Sequence, residues 1–202
     1  LADDTDGCAE VSGTNLSLDV VDSNSIATTS TIDTPNDGVM MIRTNAINGA
    51  AMFYKAEQDG SANAGQGALK INGVDCSTTL TDLDDACFNS VGTTRNPIVA
   101  NTENFGLALK ERLLTYGGAT DDVVCDAAYA GDGNTTLGTS CDGVVAGNNY
   151  AWDDTGVFDT LATSAGPVDD ELVALEFAAT ASPTTPTGLY TVTANFVATS
   201  TF

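Results

Sequence analysis

Alternation of apolar and polar residues, not helical spacing, organises most of this chain. Near its end Tyr190, Val192, Ala194, Phe196, Ala198 and Phe202 fall on one side, and Thr191, Thr193, Asn195, Thr199 and Thr201 on the other. That is the period-2 pattern of a strand with one buried and one wet face. Read as one element, Leu189 to Phe202 predicts a strand of roughly 45 Å. Such a strand must bend, serve two sheets or reach beyond its own domain. The alternation of Leu16, Leu18 and Val20 predicts a half-buried strand, and Ser25 to Ile32 a Thr-rich second one. Pro35, Asn36, Asp37 and Gly38 break the chain. Val39 to Thr44 then predicts a strand, Asn45 to Gly49 a turn, and Ala50 to Ala56 its hairpin partner.

Further on, Ala68 to Ile71 predicts a short strand, and Thr81 to Asn89 a brief helical turn capped by Thr81 or Asp82. Phe105 to Leu109 is strand-like, while Lys110 to Tyr116 is open between strand and short helix. Short strands are expected around Val123 and Val144, and longer ones over Val157 to Ala162 and Glu171 to Thr180, with turns at Gly166-Pro167 and Pro183 to Gly188. Short strands punctuated by Gly and Pro, with no βα alternation, predict an all-β antiparallel sandwich of jelly-roll type. At 202 residues the chain reads as one domain over residues 14–202, with insertions at 57–100 and 117–150. Residues 1–13 form an N-terminal arm.

Charge narrows the function. The chain carries 28 acidic and 6 basic residues, a formal charge of -22, and helix-favouring Glu, Lys, Gln and Arg are scarce. Six scattered cations build no phosphate-binding patch, so nucleic acid and anionic membrane surfaces are excluded as partners. No stretch is apolar enough to insert as a membrane helix. A start at Leu1 in place of Met reads as a mature product whose export signal has been removed.

Five cysteines fit an oxidising, extracellular setting. Cys76 and Cys87 flank an Asp-rich loop, Cys125 and Cys141 a Gly/Asn/Thr-rich one, and neither pair has metal-binding spacing. Disulfides Cys76–Cys87 and Cys125–Cys141 are expected, leaving Cys8 unpaired or available for an intermolecular link.

The absence of histidine removes Ser-His-Asp and Cys-His catalysis and histidine-ligated metals. Nothing marks a carboxylate pair for glycoside hydrolysis, and Gly131-Asp132-Gly133 lacks the Lys of a phosphate loop. The chain reads as non-enzymatic. Calcium is the one cofactor the sequence argues for, because Asp and Asn in turns present oxygen ligands together. Its candidate ligands are Asp82, Asp84 and Asp85; Asp132 and Asn134; Asp153 and Asp154; and Asp169, Asp170 and Glu171. Trp152, beside Tyr150 and those acids, is a candidate sugar-stacking platform. Asn15-Leu16-Ser17 and Asn134-Thr135-Thr136 are glycosylation sequons.

One ordered set of motifs goes further: Thr44-Asn45-Ala46 with Asn48-Gly49, Asn104-Phe105-Gly106-Leu107, Pro167-Val168, Ala178 to Ala181, and Pro186-Thr187-Gly188-Leu189-Tyr190-Thr191-Val192-Thr193 before a terminal Phe. Over residues 14–202 this order resembles secreted β-sandwich surface proteins of uncultivated small-genome bacteria. The resemblance implies a cell-surface or filament component and no activity.

By architecture the chain is also similar to pilin-like subunits that polymerise by donating a strand to the next copy. The expected function is therefore a structural subunit of an extracellular filament or surface layer, a homopolymer joined by strand addition. Val11 and Gly13 of the arm and Tyr190, Val192, Phe196 and Phe202 of the closing strand are the expected interface residues. The alternative is a monomeric adhesin or glycan-binding module using Trp152 and calcium.

Overall fold

The structure, a computed structural model, describes residues 16–29, 38–57, 67–71, 87–111, 123–130 and 149–201. All regular structure among them is β. Twelve strands follow in order: β1 (Ala27–Thr28), β2 (Gly38–Thr44), β3 (Ala50–Ala56), β4 (Lys70–Ile71), β5 (Gly92–Pro97), β6 (Asn104–Glu111), β7 (Val123–Cys125), β8 (Asn149–Trp152), β9 (Asp159–Ser164), β10 (Val168–Thr180), β11 (Tyr190–Thr191) and β12 (Ala194–Ser200). Every pairing between them is antiparallel.

The first sheet runs β1-β10-β6-β8-β5, with β2 also on β10. The 13-residue β10 is its spine. On one edge β10 holds β2 along Val168 to Leu175 and β1 at Ala178 and Ala179, and on the other it holds β6 without a register break from Val173 to Thr180. The second sheet runs β12-β3-β9-β7, and β11 with β4 forms a small separate ribbon.

Period-2 burial makes the two sheets a sandwich. In β3, Ala50, Met52, Tyr54 and Ala56 are buried while Ala51, Phe53 and Lys55 are half-buried on the other face. One core cluster joins the inward residues of both sheets, among them Met52, Tyr54, Leu107, Leu109, Leu161 and Leu175. Its centre is aromatic. The Trp152 ring lies 4.9 Å edge-on from Phe105 and 5.1 Å from Tyr54, and Tyr54 stacks 6.1 Å from Phe196 of β12. Each such pair contributes about 0.5–1.5 kcal/mol beyond its buried area. Trp152 Nε1–H donates to the Gly67 carbonyl at 2.9 Å, so the buried indole keeps a partner.

The expected hairpin does not form. Val39–Thr44 and Ala50–Ala56 are strands as expected, but β2 pairs with β10 in one sheet and β3 with β9 and β12 in the other. The Asn45–Gly49 connection is an arch between sheets, fixed by fully buried Ala46 and by Gly49 at φ 79°. A Cβ on Gly49 would stand 1.9 Å from the Ser164 carbonyl oxygen, so only glycine fits.

The strand expected over Leu16 to Val20 is also absent. Asp19 adopts φ 54°, which turns the chain, and leaves Val20 83% exposed while Leu18 and Val21 pack on the core. Of the span from Ser25 to Ile32, only Ala27 and Thr28 pair as a strand among the described residues. The closing strand is two strands. Tyr190–Thr191 joins Lys70–Ile71, the chain steps across at Val192-Thr193, and Ala194–Ser200 joins β3. The alternation itself holds: Tyr190, Val192, Ala194 and Phe196 are half-buried and Thr191, Thr193, Asn195 and Val197 exposed. The expected helical turn falls mostly on residues 81–86, and the strand expected at Val144 lies in 131–148, both outside the described residues.

Candidate functional site

The free edges of the sheets differ in how well they are defended. A strand with one open edge presents unpaired N–H and C=O groups, and natural edges are normally blunted by charge, proline, bulges or shortness. β5 carries Arg95 and Pro97 and breaks register against β8. β7 has three residues. β2 carries Arg43, whose Nε lies 3.5 Å from Asp169 Oδ1, and its ladder is irregular between Val168 and Glu171.

β12 has none of these guards. Its sequence, Ala-Asn-Phe-Val-Ala-Thr-Ser, holds no charge, no proline and no glycine, and its seven pairs with β3 run in unbroken register. Among the described residues β3 is its one neighbour.

The ladder fixes which backbone groups face the open edge. Glu57 N–H donates to the Thr193 carbonyl (2.8 Å) and Thr201 N–H to the Gly49 carbonyl (3.0 Å), so the odd-numbered residues of β12 bond to β3. By the alternation of an antiparallel pair, Ala194, Phe196, Ala198 and Ser200 point their N–H and C=O outward. The same residues turn their side chains to the core face. Phe196 is half-buried against Tyr54, and Ala198, opposite fully buried Met52, is exposed. The inner face thus thins toward this edge. At its far end the Thr44 hydroxyl meets the Ser200 hydroxyl at 3.3 Å, joining the ends of β2 and β12.

Of the expected interface residues, Phe196 lies on this edge, while Val11, Gly13 and Phe202 lie outside the described residues. Tyr190 and Val192 pack on the core, with Tyr190 4.7 Å edge-on from Phe88 and its hydroxyl donating to the Pro186 carbonyl at 2.7 Å. Burial, and then the charge of Glu103, raises the Tyr190 phenol above its ordinary range.

Trp152 is not a sugar platform. It is fully buried at the centre of the sandwich, whereas its neighbour Tyr150 is buried in a separate cluster with Ile98, Ala108 and Ala178, where its hydroxyl donates to the buried Glu176 carboxylate at 2.8 Å. Burial, and then the Glu176 charge, raises the Tyr150 phenol.

Asp82, Asp84, Asp85, Asp132 and Asn134 lie outside the described residues. Asp153 accepts the Thr155 N–H at 2.7 Å, closing its own turn, and burial followed by the Asp153 charge raises the Asp154 carboxyl. No group of three or more Cys, Asp or Glu side chains converges on a common point among the described residues. Cys87 and Cys125 are buried and each has a partner, while Cys76, Cys141 and Cys8 lie outside the described residues.

A linked set of polar side chains escaped the sequence. Asp153 N–H donates to the Tyr54 hydroxyl at 2.6 Å, the Tyr54 and Tyr129 hydroxyls meet at 3.0 Å, and Tyr129 donates to Asp159 Oδ2 at 2.5 Å. The turn bearing Tyr129 is closed by Asp126, whose carboxylate accepts Ala128 N–H at 2.8 Å. An Asx-type turn after Cys125 was the one readable signal.

No family model, curated protein or solved structure matches this chain.

Proposed function

We propose that this chain is a structural subunit of an extracellular filament or surface layer, and that copies join by adding a strand to the open edge of β12. The observation that carries the reading is the undefended edge itself: seven uncharged, proline-free residues in regular register, with the backbone groups of Ala194, Phe196, Ala198 and Ser200 turned outward. Backbone pairing suits a subunit of charge -22, because main-chain hydrogen bonds form regardless of side-chain charge. Disulfides Cys76–Cys87 and Cys125–Cys141 belong to the same proposal, since they would staple polar loops to the sandwich in an oxidising medium.

Ala198→Pro tests the edge. Its N–H faces away from β3, so proline removes a donor from the open edge and leaves the intramolecular ladder intact. Light scattering and electron microscopy of the purified protein should show polymers for the parent chain and folded, dispersed particles for the variant. A parent chain that stays monomeric at every concentration and salt level sinks the proposal, as do polymers unaffected by the substitution.

A further inference from the structure

The centre of the sandwich holds oxidisable rings in series, with a proton acceptor at the end of the series. Trp152, the one tryptophan of the chain, has its ring 5.1 Å from that of Tyr54, and Tyr54 has its ring 5.5 Å from that of Tyr129. All three side chains are enclosed. The Tyr54 hydroxyl meets that of Tyr129 at 3.0 Å, and Tyr129 donates to Asp159 Oδ2 at 2.5 Å. Asp159, at the start of β9, is only half-buried. The series thus starts at the middle of the fold and ends at its margin.

Packing alone asks for apolar rings, and phenylalanine would serve it at Tyr54 and Tyr129. One-electron oxidation asks for more. Indole and phenol rings give up a single electron far more readily than a phenyl ring, and electrons cross quickly between rings in contact. A phenol forms a stable neutral radical only when its hydroxyl proton leaves with the electron. Burial raises the Tyr129 phenol well above its ordinary range, so the hydroxyl stays protonated at neutral pH and the Asp159 carboxylate is in place to take that proton. Trp152 has no such base. Its Nε1–H donates to the Gly67 carbonyl at 2.9 Å, an oxygen that accepts a hydrogen bond but is too weak a base to remove the proton. An oxidised Trp152 therefore keeps its proton and its pull on a neighbouring electron.

We infer that Trp152, Tyr54, Tyr129 and Asp159 form a radical relay that moves one-electron oxidation from the buried indole to Tyr129. The oxidant is a small inorganic or oxygen-centred radical, which takes one electron from Trp152 and becomes its anion. One electron then passes from Tyr129 through Tyr54 to the indole and restores it. The Tyr129 O–H bond breaks, and its proton forms an O–H bond on Asp159. What remains is a neutral Tyr129 oxyl radical, held by the Tyr54 hydroxyl, beside a protonated carboxyl.

Tyr150 is not a second exit. Its hydroxyl also meets a carboxylate, that of Glu176, but it sits in the separate cluster with Ile98 and makes no ring contact with Trp152 among the described residues. The relay spares the core, because the oxidised group is now at the margin, where a soluble thiolate returns the electron and Asp159 the proton. It lies within one subunit and does not depend on how copies join.

The test is laser photoionisation of the full chain at the red edge of its spectrum, where indole alone absorbs, with nitrate in solution to trap the ejected electron. The indolyl radical absorption should decay as the tyrosyl absorption grows, at a rate independent of protein concentration. Tyr129→Phe should abolish the tyrosyl growth, while Tyr150→Phe leaves it unchanged. Asp159→Asn, at a half-buried position, should slow the transfer by about 100-fold, the scale of a positioned proton acceptor. Heavy water should slow it in the unaltered chain as well, a readout that stands should a variant fail to fold. An indolyl radical that decays with no tyrosyl growth overturns the inference, as does growth that survives Tyr129→Phe. So does a rate indifferent to both Asp159→Asn and heavy water. A purely structural role for these side chains would move the melting temperature and none of these signals.

Discussion

The hydroxyl of Tyr54 in β3 lies 3.0 Å from that of Tyr129, and only one direction of proton donation fits both. Tyr129 gives its proton to Asp159 at 2.5 Å, so the proton between the phenols belongs to Tyr54, whose oxygen accepts the Asp153 N–H. The result is a directed chain from the end of β8, through β3 and the turn after β7, to the start of β9. The Asp153 bond ties the first sheet to the second, and the bonds beyond it join β3, the turn after β7 and β9 within the second sheet. The two rings also meet edge-on, 5.5 Å apart.

Tyr129→Phe should therefore destabilise the fold by about 1–3 kcal/mol, because it strips Asp159 of a donor and Tyr54 of its acceptor in a buried setting. The double variant with Tyr54→Phe should cost less than the sum of the singles, since the second change removes a group already orphaned by the first. Urea unfolding of the four proteins measures both; strict additivity would show that the phenols do not act as a chain.

Alkaline pH should unfold the protein steeply. Burial raises the phenols of Tyr54, Tyr129 and Tyr150 well above their ordinary range in the folded state. Above about pH 10 the unfolded chain releases these protons while the folded chain retains them, so stability is full below that pH and falls as pH rises. Absorbance at the phenolate band should rise together with the loss of tertiary structure. Gradual titration of these three tyrosines in a still-folded protein contradicts this.

The period-2 signal found strands where one face is wet and the other is core, as in β3 and β12, and it failed where that condition fails. β8, Asn149–Trp152, is too short and too buried to alternate, and β5, Gly92–Pro97, offers no apolar residue before Pro97. Strand partners were less legible than strands. Asn45 to Gly49 has the composition of a hairpin turn, but Ala46 buries completely and Gly49 presses on Ser164, which sends β3 into the opposite sheet. The edge character of β12 was readable only in part. Its lack of charge is in the sequence, whereas its having β3 alone as neighbour among the described residues is a product of topology.

The arch makes Gly49→Ala informative. Alanine at φ 79° is strained, and its Cβ meets the Ser164 backbone, so the substitution should cost more than about 2 kcal/mol. In a free hairpin loop the same change would cost less, because no backbone such as that of Ser164 in β9 presses on the turn. Thermal unfolding distinguishes the two; a loss below about 1 kcal/mol would argue against the arch.

Trp152 should emit as a buried indole and remain indifferent to sugars. It is fully enclosed and bonded to Gly67, so oligosaccharides cannot reach it in the folded chain. Its emission should be blue-shifted and unchanged on glycan titration, then shift to the red on unfolding. Quenching by a sugar under native conditions would mean that the sandwich opens there.

Salt should stabilise both the fold and its assemblies. With 28 acidic and 6 basic residues, carboxylates far outnumber the cations that could pair with them. Raising NaCl from about 0.1 M to 1 M shortens the screening length from about 10 Å to 3 Å, which relieves repulsion within a subunit and between subunits alike. A gain of about 2 kcal/mol would raise the melting temperature by about 4–8 °C in a domain of this size. Assembly should respond more strongly, because bringing two copies together doubles the charge in one place. Melting curves and scattering on the same salt series separate these effects, and a melting temperature flat across the series would mean that the acids are already neutralised in the fold.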